Sequence, residues 1–335
     1  MYEDTINNRP YLEKHQNISI KRCIMNLEEE IRDNYTISVK MKQVWEVQMD
    51  ISKKIFEICK KYQLKIVCCG GTAIGALRHH GYIPWDDDID LAMLRDDYDK
   101  LCSVAKDEFK DPYFFQTAYT DKGYCYGHAQ VRKNGTTAIL KGDVFKEFHL
   151  GIFVDIFVLD AVPMDQKKIM MLRKKTEHIR KDMNIKAFFR FGYAHPIRHF
   201  TKYLRYLWLI PKDLKSLFSN YEECFRETNI DDCDEVAGMA FTWNNFDKEK
   251  RTKHLMDDII WLPFEDMFMP VSSMCDSILQ KQYGDYMKPV KAPSMHGGFL
   301  VLDPDKDYKE YLPELRRQAK KNFWKKVLVK LHLKK

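Results

Sequence analysis

The chain has 335 residues, 45% of them hydrophobic and 31% charged, with a formal net charge of +6. These are the proportions of a globular chain with one large or two moderate cores. No apolar run approaches the roughly 20 residues that span a bilayer, and the first ten residues lack the apolar core of a signal peptide, so a cytoplasmic location is expected.

Residues 1–37 are polar and irregular, and an arm or short helices are expected there. From Ser38 to Tyr62 the apolar positions Val44, Val47, Ile51, Ile55, Ile58 and Tyr62 step by three or four, which predicts a core-facing helix. Leu64 to Cys69 is a short apolar run ended by glycine and predicts a buried strand. A helix over Thr72–His80, closed by Gly81, is expected next. A strand over 88–94 and a helix over 96–108 follow it. Further strands are expected at 113–118, 128–132, 137–140 and 152–159, separated by Gly, Asp and Asn turn signals. The nine cysteines include no Cys-x-x-Cys pair and no zinc-type His spacing, so they are expected to be reduced, most of them small core residues.

The segment from Gly70 to Leu91 carries the strongest chemical signal. On a strand, alternate side chains share a face, so Asp88 and Asp90 project together while Ile89 and Leu91 enter the core. Two carboxylates on one face suit magnesium or manganese, with substrate phosphate and water filling the remaining positions. The Gly70-Gly71 turn lets backbone approach a ligand, and the helix it opens favours an anion. The segment therefore reads as a phosphoryl-handling site. Asp155 stands in the middle of the otherwise apolar 152–159 run, where a charge needs a partner or a ligand.

Beyond Pro163 helices are expected at 165–190, 196–208 and 212–227, with Tyr203, Tyr206, Leu207, Trp208, Leu209 and Ile210 read as a helix–helix seam rather than a lipid contact. Trp261–Pro270 reads as a turn into a helix over 271–283, and the Asp231-Asp232-Cys233-Asp234-Glu235 stretch as a solvated loop. Residues 315–335 hold nine Lys or Arg and no acid, with Phe323, Trp324, Val327, Leu328 and Leu331 along one side. That basic amphipathic helix either lies on an anionic membrane surface or docks on its own domain. No interleaved stacking aromatics accompany the charge, so nucleic acid is not expected as a partner.

Residues 70–91, Gly-Gly-Thr-Ala-Ile-Gly-Ala-Leu-Arg-His-His-Gly-Tyr-Ile-Pro-Trp-Asp-Asp-Asp-Ile-Asp-Leu, resemble the signature of the LicD family of phosphocholine transferases, with Ile74 and Tyr82 as mild replacements where that family usually has Leu and Phe. Weaker similarity runs through Arg132–Thr137, Val154–Asp160, where Val158 replaces a common proline, and Tyr283–Met287 followed by His296. The resemblance spans roughly residues 40–300. It implies an α/β, nucleotidyltransferase-type mixed sheet core flanked by helices, with a mostly helical C-terminal half. The division expected is an arm at 1–37, a catalytic core at 38–163, a helical acceptor region at 164–314 and the basic helix at 315–335.

By the same resemblance Asp88, Asp90 and Asp155 form a metal-binding triad, with Asp155 open between ligand and base. Gly70, Gly71, Thr72, Arg78, His79 and Arg132 would contact donor phosphate, and Trp85, Asp285 and His296 would be further substrate contacts. Asp86 and Asp87 are read as turn and cap residues. The implied reaction moves a phosphoalkyl group, phosphocholine first, from a CDP-alcohol donor to a glycan or lipid-linked glycan hydroxyl, as in teichoic acid, lipopolysaccharide or capsule precursors. The rivals are a glycosyltransferase using an Asp-x-Asp pair and a non-catalytic glycan-binding relative.

Overall fold

The computed structural model describes residues 25–189, 200–240, 243–291 and 298–332, with side chains to residue 324. An antiparallel hairpin of β1 (Glu30–Arg32) and β2 (Tyr35–Ile37) stands where an arm or short helices were expected. Asp33 and Asn34 both take positive φ in its two-residue turn, a conformation that Asn and Asp tolerate better than other side chains. Helix α1 (Val39–Tyr62) is N-capped by the Ser38 hydroxyl, which accepts from the Met41 N–H. Its buried face holds Val44, Trp45, Gln48, Ile51, Ile55 and Ile58, so the expected stripe points inward and also carries polar atoms into the core.

The central sheet has seven strands among the described residues. Strand β3 (Val67–Cys68) is shorter than its apolar run suggested. It leads into helix α2 (Gly70–Ile74), whose last turn is a π-helical stretch over Gly75–His79. His80, not Gly81, ends that stretch in the left-handed region. Strand β4 (Asp90–Leu94), helix α3 (Arg95–Glu108), β5 (Tyr113–Gln116), β6 (Ala129–Lys133), β7 (Thr137–Leu140) and β8 (Phe153–Ala161) follow within two or three residues of expectation. β4 and β8 run parallel at the centre, with β3 antiparallel outside β4. The other edge of β8 pairs first with β6, which continues to β5, and then with β9 (Glu235–Ala237), which continues to β10 (Arg251–Thr252). This is the mixed sheet expected from the sequence.

Between β8 and β10 lie the helices α4 (Gln166–Phe188), α5 (Phe200–Leu209), α6 (Leu214–Arg226) and the single turn α7 (Phe246–Glu249). In α5, Tyr203, Tyr206 and Leu209 turn inward, as a helix–helix seam requires, but Leu207, Trp208 and Ile210 are exposed. The run at 259–272 is a β-hairpin, β11 (Ile259–Phe264) and β12 (Met267–Ser272), where a turn and helix were expected, and helix α8 (Cys275–Tyr283) begins only after it. Glu265 takes positive φ in the turn between the strands. Strand β13 (Phe299–Asp303) pairs with β7, and helix α9 (Tyr308–His332) starts seven residues before the expected basic segment. Tyr308 and Leu312 are buried beside Tyr124, Ile139, Phe148 and Leu150, with Leu315 and Ala319 packed on the same cluster.

Candidate active site

The site grows from one rung of the parallel β4–β8 pair. Asp90 is registered opposite Asp155, so both side chains leave the same face of the sheet. Two and four residues further on, that face is filled by Ala92 and Leu94 from β4 and by Phe157 and Leu159 from β8, packed against Val67, Cys69 and Leu255. The carboxylates thus sit where the apolar cover of this face stops. The opposite face, through Ile89, Leu91, Ile156 and Val158, belongs to the main core.

The loop that delivers the remaining acids is held from α1. Trp45 Nε1 donates to the Asp86 carbonyl at 3.1 Å, and Gln48 Nε2 donates to the Asp87 carbonyl at 2.8 Å. Tyr82 stacks on Trp45 with centroids 4.4 Å apart and donates to Gln48 Oε1 at 3.1 Å. From the other side, Glu265 in the β11–β12 turn donates its N–H to the His80 carbonyl at 2.8 Å and accepts from the Tyr82 N–H at 3.1 Å. A side chain at Gly81 would collide with Glu265, so glycine serves close approach there rather than helix termination.

Asp86, Asp87 and Asp88 offer carboxylate oxygens that lie within 4.8 Å of one another. Burial, followed by the negative charges of Asp88, Asp155, Asp86 and Asp87, pushes the Asp90 carboxyl well above the ordinary range. Asp86 is pushed up in the same way by burial, Asp88 and Asp87. Five acids therefore share one field, and among the described residues the oxygens close enough to hold one ion together are those of Asp86, Asp87 and Asp88. Crowded carboxylates of this kind are an all-oxygen donor set, which fits a hard divalent cation. Asp86 and Asp87, read from the sequence as turn and cap residues, lie in this cluster with Asp88.

The Gly70-Gly71 turn lies against these acids. Gly70 has φ +55°, and a Cβ there would stand 3.2 Å from Asp90 Oδ2, while one on Gly71 would overlap the Asp86 carboxylate. The paired glycines thus make room for the carboxylates as well as for any ligand. Thr72 accepts the Asp90 N–H at 2.9 Å, tying the helix start to β4. Tyr283, at the end of α8, brings its hydroxyl within 3.8 Å of the same Gly70 position. Sequence reasoning passed over that residue, although the Tyr283–Met287 block contained it.

Behind Asp155 runs a buried polar network. Gln130 Nε2 donates to Asp155 Oδ1 at 2.7 Å, and His128 Nε2 lies 3.2 Å from the same oxygen. Arg132 is 3% exposed. It donates to Gln130 Oε1 and Gln116 Oε1, each at 2.5 Å, and to the Gly151 carbonyl at 2.6 Å. This corrects the expectation of a phosphate contact, since a guanidinium committed to three internal acceptors orients Gln130 instead of reaching a substrate. Arg78 donates to the Tyr286 carbonyl, and His79 Nε2 is 2.9 Å from Asp33 Oδ2. Trp85 is partly buried, edge-on to Tyr35 at 6.1 Å. Asp285 is exposed in the turn after α8, and His296 lies outside the described residues.

The same network contains His149, whose Nδ1 accepts the Gly151 N–H at 3.0 Å while Nε2 lies 3.0 Å from Asn134 Oδ1. Burial first, then Arg132 and Lys309, hold its pKa down at about 3. Because the unfolded ring takes a proton below about 6.5 and the folded ring does not, this contribution to stability is complete above that pH and is lost as the pH falls toward 3. Between pH 7 and pH 5 the native protein is expected to lose about 1–2 kcal/mol through this residue. Urea unfolding of His149→Gln at both pH values checks it, with the variant showing a flatter acid slope.

Residues 63–191 match the family described as LicD/FKTN/FKRP, nucleotidyltransferase domain. Residues 63–191 are thus similar to a LicD-family domain. A relative named lipopolysaccharide cholinephosphotransferase LicD, from Haemophilus influenzae, is 28% identical over 247 residues, covering 72% of this chain and 89% of the relative. An uncharacterized protein of Rickettsia prowazekii is 34% identical over 113 residues, covering 34% of this chain and 39% of its own. The matched stretch contains Asp86, Asp87, Asp88, Asp90 and Asp155 together with Gln130 and Arg132. Tyr283, beside Gly70, and the Glu265 turn, beside Gly81 and Tyr82, reach it from outside those bounds.

Proposed function

We propose that the protein is a metal-dependent phosphocholine transferase, moving the group from CDP-choline to a hydroxyl of a cell-surface glycan of lipopolysaccharide type and releasing CMP. The observation that carries this reading is the Asp90–Asp155 rung with Asp86, Asp87 and Asp88 beside it, inside a domain similar to that of a named cholinephosphotransferase. In the reaction the acceptor oxygen forms a bond to the phosphorus of phosphocholine, the bond from that phosphorus to the CMP oxygen breaks, and the hydroxyl proton leaves to a base or solvent. A magnesium or manganese ion bound by Asp88, Asp90 and Asp155 would supply charge neutralisation at the donor diphosphate.

The chain's own residues do the positioning. Gln130 and His128 hold Asp155 by one oxygen, and Thr72 fixes the backbone of Asp90. Gly70 and Gly71 keep side chains out of the space beside both acids. Gly70, Gly71 and Thr72 would also line the donor phosphate, with Arg78 and His79 at the far end of the same helix and Trp85 and Asp285 as outer contacts. Residues 164–314 would complete the acceptor side. Peripheral attachment on the cytoplasmic face of a membrane through 315–335 fits α9, whose first turns are docked while Trp324 is 61% exposed.

The test offers the purified protein CDP-choline, CDP-ribitol, CDP-glycerol and a panel of nucleotide sugars, with magnesium and a lipopolysaccharide acceptor. CMP release and label transfer with CDP-choline are expected. Turnover of nucleotide sugars alone would replace this reading with a glycosyltransferase, and turnover of CDP-ribitol alone would change the group transferred.

A further inference from the structure

Helix α5 is amphipathic in the wrong sense for a helix that serves only the core. Its inward side is Tyr203, Tyr206 and Leu209, and Arg205 ties it to α4 through an ion pair with Asp182. Its outward side places Phe200, Leu204, Leu207 and Trp208 at successive helical turns, followed by Ile210, and all five are more than half exposed. A contiguous row of large apolar side chains facing water marks a surface that is covered in use.

The charge around that row is one-sided. Residues 164–227 hold fifteen Lys or Arg against seven Asp or Glu, while the rest of the chain holds forty against forty-two. The segment that carries the exposed row and the basic C-terminal segment, with nine Lys or Arg and no acid, together hold the net positive charge of the protein. Beside the C-terminal end of α5 opens a cleft of about 620 Å³ whose walls include Lys122, Lys146, Lys186, Lys212 and Lys215 against three acids, Asp121, Glu147 and Asp213, with Lys146 paired to Asp143. Lys186 donates to the carbonyls of Leu209 and Ile210, and Lys215 to that of Tyr119, partners that orient these ammonium groups without neutralising them. Lys212 stands over the Trp208 ring.

We infer that this face of α5, with the lysine-lined cleft beside it, docks on an anionic phospholipid surface. Apolar side chains enter the headgroup boundary, and the flanking lysines meet lipid phosphates. A ten-residue helix of about 15 Å lies on a bilayer rather than crossing it, and no described helix is long and apolar enough to span one. A second copy of this chain is a poor cover, because it would bring the same positive face against itself. The inference rests on neither the catalytic proposal nor the C-terminal segment.

Vesicle co-sedimentation of the full chain tests it, comparing phosphatidylcholine vesicles with vesicles that also contain phosphatidylglycerol. The wild type is expected to partition onto the anionic vesicles, and Leu204→Ser/Leu207→Ser/Trp208→Ser to bind them at least tenfold more weakly with an unchanged far-ultraviolet dichroism spectrum. Trp208→Phe should still bind but lose part of the blue shift in tryptophan emission on vesicle addition. Truncation after Lys320 separates this face from the C-terminal segment, and the triple variant must weaken binding in the truncated chain too. Equal vesicle binding by wild type and triple variant overturns the inference. So does a wild-type dimer that the triple variant turns into a monomer without change in vesicle binding.

Discussion

Asp90→Asn is expected to lower phosphocholine transfer by at least ~10³-fold, about 4 kcal/mol of barrier, while leaving the folded protein as stable as before or more so. Both halves follow from the same geometry. Asp90 faces Asp155 across the central rung, and its strongest charged neighbours are Asp88, Asp155, Asp86 and Asp87, all negative. Without a cation these groups repel one another, so removing one charge relieves the apo protein. With a cation the same removal takes away one of the proposed ligands. The measurement is therefore paired, combining steady-state transfer from CDP-choline with thermal unfolding in magnesium and in chelator. The wild type should gain stability from magnesium and Asp90→Asn should not. Retention of most activity by the variant would remove the metal assignment, and a large loss of stability in chelator would mean that Asp90 serves packing instead.

How much of this was legible depended on whether the signal was local. The Gly-Gly start and the lone acid at 155 are patterns within a few residues and appear where period and polarity placed them, whereas of the Asp-x-Asp pair only Asp90 lies on β4 and Asp88 stands in the loop before it. The role of Gln130 was not legible, because nothing near it in the chain points to Asp155. Only the antiparallel pairing of β6 with β8, which registers Gln130 opposite Asp155, brings the amide to the carboxylate. Arg132 was misassigned for a related reason, since an arginine near a phosphate motif looks like a ligand until burial shows its donors spent inside.

The hairpin at 259–272 failed on a different rule. Pro263 and Pro270 argue against regular strand, yet both lie in a two-stranded ribbon, where a missing N–H can be tolerated on an outer edge. The turn signal was Glu265-Asp266, weaker than a glycine pair, and the positive φ at Glu265 is enforced by its contacts with His80 and Tyr82. The exposed side of α5 was hidden by averaging. Aromatic and aliphatic residues alternate around the helix closely enough to suggest a seam, and which of the two apolar sides faces inward is decided by α4.

A second acid in β8 sets the largest expected effect on stability. Asp160 is 1% exposed, five residues past Asp155 and so on the opposite face of the strand, and it lies outside the apolar run that drew attention to Asp155. Its two oxygens accept from Arg95 Nε at 2.6 Å and from a terminal guanidinium nitrogen at 2.9 Å, a bidentate pair, while the remaining guanidinium nitrogen reaches Glu222 Oε1 at 3.3 Å. Arg95 begins α3, Asp160 lies in β8 and Glu222 lies in α6, so one guanidinium joins the sheet to two helices. Replacing it with Ala leaves two carboxylates buried beside each other with no cation between them. Arg95→Ala is expected to cost about 3–5 kcal/mol, read as a shift of the urea midpoint with the slope unchanged. Arg95→Lys should recover only part of this loss, because a single ammonium cannot serve Asp160 in bidentate fashion and Glu222 as well. The double variant Arg95→Met/Asp160→Leu should be less destabilised than Arg95→Ala, since the buried pair is then replaced on both sides and Glu222 keeps Tyr119 and Arg226 as partners. If Arg95→Ala unfolds at the wild-type midpoint, the three-way junction contributes nothing to stability and the attachment of α6 must come from packing by Phe218, Tyr221 and Phe225, the Arg226–Asp99 ion pair and the Tyr119–Glu222 hydrogen bond.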